Sequence, residues 1–260
     1  MKPHRILALL WKYWFLTTRR LDRIFDITYW PVINLVIFGF TALYIKGSAN
    51  IPHIVVFLIG GTLTWILLQR AQQDAVVYLL EDFWNGNLSN TFITPVTTGE
   101  LFTALCITGL LRALFSFVLM AVIAVVAYNF FIFSGGLLPF VFMIPLFIFA
   151  WAMGFAIAGL IFRYGTQIQV FAWSVNFIFQ PLAGVYYPIT ILPPILQKIA
   201  FFVPASHVFE GFRQAYTTGV FNLELFLLAM GMASVYFVLS YLFLVNCVKK
   251  ARKTGILTKY

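Results

Sequence analysis

The sequence predicts an all-α polytopic membrane protein, and three observations carry that prediction. Hydrophobic residues fill 62% of the 260 positions and charged residues only 10%, a balance foreign to soluble domains. Several apolar runs reach the roughly 20 residues that a helix needs to cross a bilayer. The cations gather before the first run and after the last, as membrane orientation requires. A net charge of +9 would suit nucleic acid only as an interleaved basic face, so no nucleic-acid partner is expected. Cys106 and Cys247 lie far apart in apolar runs, lack the paired spacing of a zinc or redox site, and read as packing residues.

The chain opens on an amphipathic segment, 1–25. Arg5, Lys12, Arg19 and Arg23 fall on one helical face and Ile6, Leu10, Trp14, Leu21 and Ile24 on the other, the pattern of an interfacial helix against anionic headgroups. Lys12 interrupts its apolar part and Arg19-Arg20 stands where a signal peptide would carry small residues, so cleavage is not expected. The first span is predicted over 27–45, entered through Tyr29, Trp30 and Pro31. A polar turn at 46–50 leads to a second span from Pro52 to about 68, with Gln69, Arg70, Gln72, Gln73 and Asp74 marking its exit from hydrocarbon. Between 101 and 133 the only charge is Arg112. It is expected to snorkel near the entry of a span starting about 110, since a charge at the bilayer centre costs about 2.5–3.5 kcal/mol. Ser134-Gly135-Gly136 close that span, and three more follow over 137–162, 168–186 and 225–248.

Residues 180–213 are apolar enough for a membrane, yet Pro181, Pro188, Pro193, Pro194 and Pro204 deny them one uninterrupted helix. Irregular backbone at membrane depth survives only where protein buries it or a cavity hydrates it. Charge decides how this segment sits. Lys2, Arg5, Lys12, Arg19, Arg20 and Arg23 precede the first span, and Lys249, Lys250, Arg252, Lys253 and Lys259 follow the last. An even number of crossings places both termini in the cytoplasm, with Arg70 and Arg163 inside and Lys46, Lys198 and Arg213 outside. The expectation is therefore six spans plus an extracytoplasmic re-entrant element over 188–213.

Two places invite chemistry. His207, Glu210 and Arg213 stand one helical turn apart on one face. A metal or acid–base centre needs more partners than His4 and His53 supply, so neither a metal nor a catalytic residue is expected, and internal ion pairing on an amphipathic helix is the reading preferred. Residues 81–99 mix Glu81, Asp82 and amides with Phe83, Trp84, Leu88, Phe92 and Ile93, broken by Gly86 and Pro95. That is too apolar for a free linker and suggests a surface that docks on something.

Over nearly its whole length the chain resembles the membrane subunits of ATP-binding cassette exporters of the second type, the ABC type-2 permeases. The likeness rests on Glu81…Gly86-Asn87-Leu88…Thr94-Pro95-Val96, on Pro181-Leu182-Ala183-Gly184-Val185-Tyr186-Tyr187-Pro188…Leu192-Pro193, and on Pro204…His207-x-x-Glu210-x-x-Arg213. The order of a basic amphipathic start and six spans matches as well. The resemblance implies a single transmembrane domain, 1–260, in the plasma membrane of a bacterium or archaeon. It implies that Glu81, Asp82, Gly86, Asn87, Leu88, Phe92, Thr94 and Pro95 belong to a coupling element seated in an ATPase subunit. It further implies that the broken segment forms extracytoplasmic re-entrant helices, and Pro181, Tyr186, Tyr187, Pro188, Pro193, Pro204, His207, Glu210 and Arg213 are expected to build a gate or lateral exit there, with Tyr186, Tyr187, Phe201 and Phe202 lining or plugging the path.

No G-x-x-x-x-G-K-[ST] phosphate loop occurs. ATP and Mg are thus expected on a separate ATPase subunit and no cofactor on this chain; a second permease subunit and membrane lipids complete the expected partners. The resemblance implies an amphipathic substrate: a lipid, a glycolipid or polysaccharide, or a drug. Asn34, Gln167, Gln169, Asn176 and Gln180 are its uncharged polar candidates, equally able to bond neighbouring helices. No charge is expected well inside the spans. The competing classes are a secondary transporter or channel, for which only one broken segment appears rather than a matched pair, and a lipid-modifying membrane enzyme, whose reactive cluster is missing.

Overall fold

In this computed structural model, residues 1–48 and 53–254 are described. Among them the chain is all helical, and four helical stretches are long and apolar enough to cross a membrane: Leu21–Ser48, Thr98–Tyr128, Leu138–Ile168 and Leu223–Lys253. Those lengths, with the composition, make this a multi-pass membrane protein. Ala49, Asn50 and Pro52 of the expected turn and second-span entry, and Lys259 of the basic tail, lie outside the described residues; Lys46, Gly47 and Ser48 are still helical.

The amphipathic start is shorter than expected. Helix α1, Pro3–Thr18, ends at Arg19-Arg20, and α2, Leu21–Ser48, begins at once, so Arg23 and Ile24 belong to the first long helix. The break lets the chain change direction, while Arg20 reaches forward to Asp22 of the new first turn at 3.2 Å. Thr17 and Thr18 fold their hydroxyls back onto the carbonyls of Tyr13 and Trp14.

The second apolar run departs most from expectation. A π-helical turn, Val56–Gly60, leads into α3, Gly61–Trp84. Residues 69–74 do not leave the helix: Arg70, Gln72, Gln73 and Asp74 sit in its middle and are buried. Polarity misleads here because partners from other helices neutralise these groups. Gly86, with φ +65°, makes the left-handed corner into the short helix α4, Asn87–Ile93, a conformation that glycine enters without steric cost.

Helix α5, Thr98–Tyr128, starts earlier than the predicted span. Thr97 accepts from the Glu100 N–H and Glu100 accepts from the Thr97 N–H, a reciprocal cap that satisfies two otherwise orphaned donors. It ends at Asn129, left-handed with φ +51°, before Ser134-Gly135-Gly136. A 3-10 turn, Leu138–Phe142, precedes α6, Met143–Tyr164. Helix α7, Phe171–Leu182, has 12 residues, about 18 Å of rise, so it falls short of a bilayer core by itself.

The proline-rich stretch breaks at its later prolines, whereas Pro181 stays inside the last turn of α7. Pro188 precedes a 3-10 turn, Ile189–Ile191; Pro194 opens α8, Pro194–Phe201; and Pro204 opens α9, Pro204–Thr218. Proline is tolerated at a first helical position because its missing N–H would have no partner there. Helix α10, Leu223–Thr254, packs along α6 and closes the bundle.

Two apolar clusters form the core. One contains Leu58–Ala71 of α3 and its π turn with Phe142, Phe209 and Phe212; the other contains Ala75–Phe83 with Phe102, Phe155 and Phe162. Gln72, Gln73 and Asp74 lie between them, level with Thr108 and Arg112 of α5 and Asn176 of α7. The molecule is thus two apolar halves separated by a polar layer, and α3 runs through both.

Candidate functional site

The polar layer is an ion-pair lattice. Arg70 Nη1 donates to Asp26 at 2.7 Å and its Nη2 to the Asp26 carbonyl. Arg112 stands 3.2 Å from Asp74 and 3.8 Å from Asp26, with its guanidinium 5.1 Å from the centre of the Tyr78 ring. Arg112 is only 6% exposed, enclosed by protein rather than on its surface. Buried charges are kept where opposite charges and hydrogen bonds replace water. Two Asp and two Arg from α2, α3 and α5 meet in this layer and balance, beside the positions where the sequence places the entry of the first and third spans and the exit of the second. Arg70 Nε, Arg112 Nε, Asp74 Oδ2 and Asn176 Oδ1 remain without a hydrogen-bond partner.

A cavity of about 580 Å³ opens on this layer, within the size range of small-molecule sites. Asn34, Asn176 and Gln180, three of the five uncharged polar candidates, line it together with Gln69 and Gln73. Gln167 and Gln169 are elsewhere, in the 3-10 turn Gly165–Ile168 and beside it. Gln169 accepts from Trp84 Nε1 at 3.1 Å. Trp30, Trp65 and Trp173 supply the cavity's large aromatic walls, and Tyr186 sits at its rim, stacked on Phe38 at 4.0 Å between ring centres.

At the Glu81 end, the predicted docking loop is partly folded into the bundle. Glu81 and Asp82 are buried in the last turn of α3. Lys12 donates to both Asp82 oxygens at 2.7 and 2.8 Å, and Arg20 and Arg23 reach Glu81. Their carboxylates therefore face cations of the same chain, Asp82 that of α1 and Glu81 those at the α1–α2 junction and in the first turn of α2, not an outside basic surface. Tyr13 packs on Tyr78 at 5.0 Å; burial foremost, then the Asp82 carboxylate, raises its phenol well above the ordinary range. Lys2 N–H donates to Glu100 at 2.7 Å, and Arg5 reaches the Pro95 carbonyl. Helix α1 thereby clasps the ends of both α3 and α5.

The apolar residues of the loop divide in the same way. Leu88 is 2% exposed, and Phe92 packs on Phe162 at 6.1 Å while Arg252 of α10 lies 4.5 Å over its ring. Both dock on this chain. Ile93 is 82% exposed and, with Gly86, Asn87, Thr94 and Pro95, remains on the surface. A groove between α1 and α4 runs beside them, lined by Arg5, Lys12, Asn87, Asn90 and Thr94.

At the opposite end the polar triplet separates into two fastenings. His207 Nε2 pairs with the Phe201 carbonyl at 2.8 Å, and Ser206 donates to the Ala200 and Val203 carbonyls; these bonds close the α8–α9 joint. Arg213 donates to Glu210 at 2.8 Å and to the Gly184 carbonyl at 2.6 Å. Gly184 has φ +61°, and a Cβ there would stand 2.9 Å from the Tyr187 carbonyl oxygen, so the tight corner after α7 requires glycine. Gln180 donates to Tyr186 Oη at 2.9 Å and Tyr187 to the Pro181 carbonyl at 3.1 Å. Of the four aromatic residues expected beside the path, only Tyr186 lines the cavity. Phe201 and Phe202 are exposed on and just after α8.

Sequence reasoning missed the Asp26–Arg70–Asp74–Arg112 lattice. One signal was available: a charge within an apolar run implies a partner, and Arg70 and Asp74 share a helical face at i,i+4. No curated protein matches the chain, whereas the family model described as ABC-2 type transporter matches residues 4–217. That match spans the α1 clasp, the cavity and both fastenings, and the chain belongs to the ABC-2 type transporter family.

Proposed function

We propose that this chain is one permease subunit of an ATP-driven exporter, working with a separate ATPase subunit that binds ATP and Mg and with a second permease subunit. The observation that carries the reading is α3. A single helix holds Glu81 and Asp82 at one end, the cavity-lining Trp65, Gln69, Arg70 and Gln73 in its middle, and the turn of Thr62 near the Tyr186 rim at the other. Movement imposed on the Glu81 end of α3, to which the Gly86 corner joins α4, therefore reaches the cavity along one helix. Ile93, Gly86, Thr94 and Pro95 are the surface for the ATPase; Leu88 and Phe92 make α4 move with the bundle. The corner at Tyr186 and Tyr187, held by Arg213, is the gate over the cavity. The exposed faces of α2 and α7, with Phe25, Phe40, Tyr44 and Ile178 among their exposed residues, pack on lipid or on the second permease subunit and close the open side of the path.

In the bilayer the reading has six crossings: α2, α3, α5, α6, the stretch 165–188 built around α7, and α10. Both termini lie in the cytoplasm of a bacterial or archaeal cell, and α8 and α9 sit in the outer leaflet. Cysteines placed at Lys46 and Lys198 should react with an impermeant maleimide from outside, and one at Arg163 only after permeabilisation.

The test is reconstitution in proteoliposomes with the co-purified ATPase. Ile93→Asp should uncouple ATP hydrolysis from vanadate-sensitive transport while the chain inserts normally. Full coupling in that variant would remove Ile93 from the contact, and transport without any ATPase would instead favour a secondary transporter.

A further inference from the structure

Helix α2 carries a proline, Pro31, in its interior. Having no N–H, Pro31 leaves the Ile27 carbonyl without its intrahelical donor, and its ring crowds that carbonyl, so the helix bends there easily. The Ser116 hydroxyl of α5 donates to the freed Ile27 carbonyl at 2.9 Å, while Arg70 of α3 holds the neighbouring Asp26 carbonyl. The first turns of α2 are therefore a lever, hinged at Pro31 and gripped from two sides. Space lies on both flanks of it. Asp26 and Trp30 line the cavity of about 580 Å³, whereas Ile24 and Ile27 line a groove of about 520 Å³ shared with Trp14 of α1 and with Leu111, Arg112 and Phe115 of α5.

One oxygen of Asp26, Oδ2, serves both sides. It lies 2.7 Å from Arg70 Nη1 and 3.8 Å from Arg112 Nη2. Asp26 is the outermost of the four charged groups, its side chain 35% exposed against 7% or less for the others. Arg112 Nη2 and Asp74 Oδ2 have no hydrogen-bond partner, and Asp74 stands one turn from Arg70 on the same face of α3. The same four charges therefore balance in two ways: Asp26–Arg70 with Asp74–Arg112, as observed, or Asp26–Arg112 with Asp74–Arg70. Neither arrangement leaves a buried charge unanswered, which keeps the cost of exchange low.

We propose that Asp26 is a switch in the transport path: α2 bends at Pro31, Asp26 passes from Arg70 to Arg112, Arg70 turns to Asp74, and the cavity widens as the α1 groove narrows. Asp26 is a positioning residue, acting through where it sets α2. The exchange itself needs only this chain; its place in transport rests on the exporter reading.

The test uses the full chain in lipid nanodiscs with 5-fluorotryptophan at its seven tryptophans, read by fluorine NMR. Trp30 reports the cavity flank and Trp14 the groove flank, each assigned by its Trp→Phe variant. The native chain should give both reporters a second, exchanging signal of about 5%. Arg70→Gln/Asp74→Asn, which leaves only Asp26 and Arg112, should make that signal the major one. Asp74→Asn/Arg112→Gln, which leaves only Asp26 and Arg70, should abolish it. Pro31→Ala, which returns an N–H to the Ile27 carbonyl, should reduce it about fivefold or more. A single unexchanging signal at both reporters of the native chain overturns the proposal, whatever the variants do. So does an Arg70→Gln/Asp74→Asn chain that misfolds or keeps the native shifts while Asp74→Asn/Arg112→Gln folds, or a Pro31→Ala chain with the native proportion. With the ATPase trapped by vanadate and ATP, the second signal should dominate; exchange that ignores the trapped ATPase would sink only the link to export.

Discussion

At the Glu81 end, carboxylates of α3 and α5 are answered by cations of α1, the α1–α2 junction and the first turn of α2 and by the Lys2 backbone N–H at the head of α1, 58 to 98 residues away in sequence. At the Arg213 end, His207 and Ser206 bond carbonyls six residues back, and Arg213 reaches Glu210 three residues away and Gly184 at 29. The first arrangement joins separate helices through charge; the second folds consecutive segments onto one another through directional bonds to backbone oxygen. Ion pairs tolerate some sliding between partners, whereas a carbonyl accepts well over a narrower geometry. The α1 clasp is accordingly a junction between elements, and the α8–α9 cap is a unit.

The sharpest way to break this comparison is at the layer between the two ends. Arg112→Met should leave Asp74 buried and unanswered at a cost of about 3–5 kcal/mol, seen as loss of monodisperse protein on extraction. Pairing it with Asp74→Asn should restore most of that yield. If the double variant were as poor as the single one, shape rather than charge would hold α3 to α5. Next in size, Leu88→Ala should destabilise the fold by about 2–4 kcal/mol, while Ile93→Ala stays within about 0.5 kcal/mol. Thermal melts in one detergent separate the two, and equal losses would mean that α4 is not docked through Leu88.

At the far end, Arg213→Lys keeps the charge but loses the planar fork that serves Glu210 and Gly184 together. A melting shift equivalent to about 1.5–3 kcal/mol is expected, against at most about 1 kcal/mol for Glu210→Gln, whose carboxylate is 44% exposed. An equal response would make Glu210, not the Gly184 carbonyl, the main anchor. The smallest effect is salt. Raising it to about 1 M shortens the screening length to about 3 Å, which should speed hydrogen exchange in α1 through the Lys12 pair, whose lysine side chain is 30% exposed, and leave α9 unchanged. Faster exchange in α9 would erase the distinction.

The same difference governs what could be read from sequence. The breaks at Pro188, Pro194 and Pro204 and the Arg213–Glu210 pair were legible because they depend on neighbours within a turn or two. The fate of residues 69–74 was not, since Arg70 and Asp74 stay in the helix only because Asp26 and Arg112, 44 and 38 positions away, come to meet them. Leu88 and Phe92 were recognised as docking residues, but hydrophobicity alone does not say on whom: Phe162 and Arg252 of the same chain take Phe92, and Leu88 joins its buried apolar cluster. The cavity was half visible: Asn34, Asn176 and Gln180 were singled out, and only the packing of α2, α3 and α7 shows that they face one space with three indoles.

The unbroken course of α3 has an arithmetic consequence. Its 24 residues make a rod of about 36 Å, and the buried charge layer crosses it near the middle. With that layer as pivot, a tilt of about 5° carries each tip about 1.5 Å, in opposite directions. A displacement no larger than a bond length, delivered beside α4, thus arrives undiminished and reversed in sense at the Tyr186 rim.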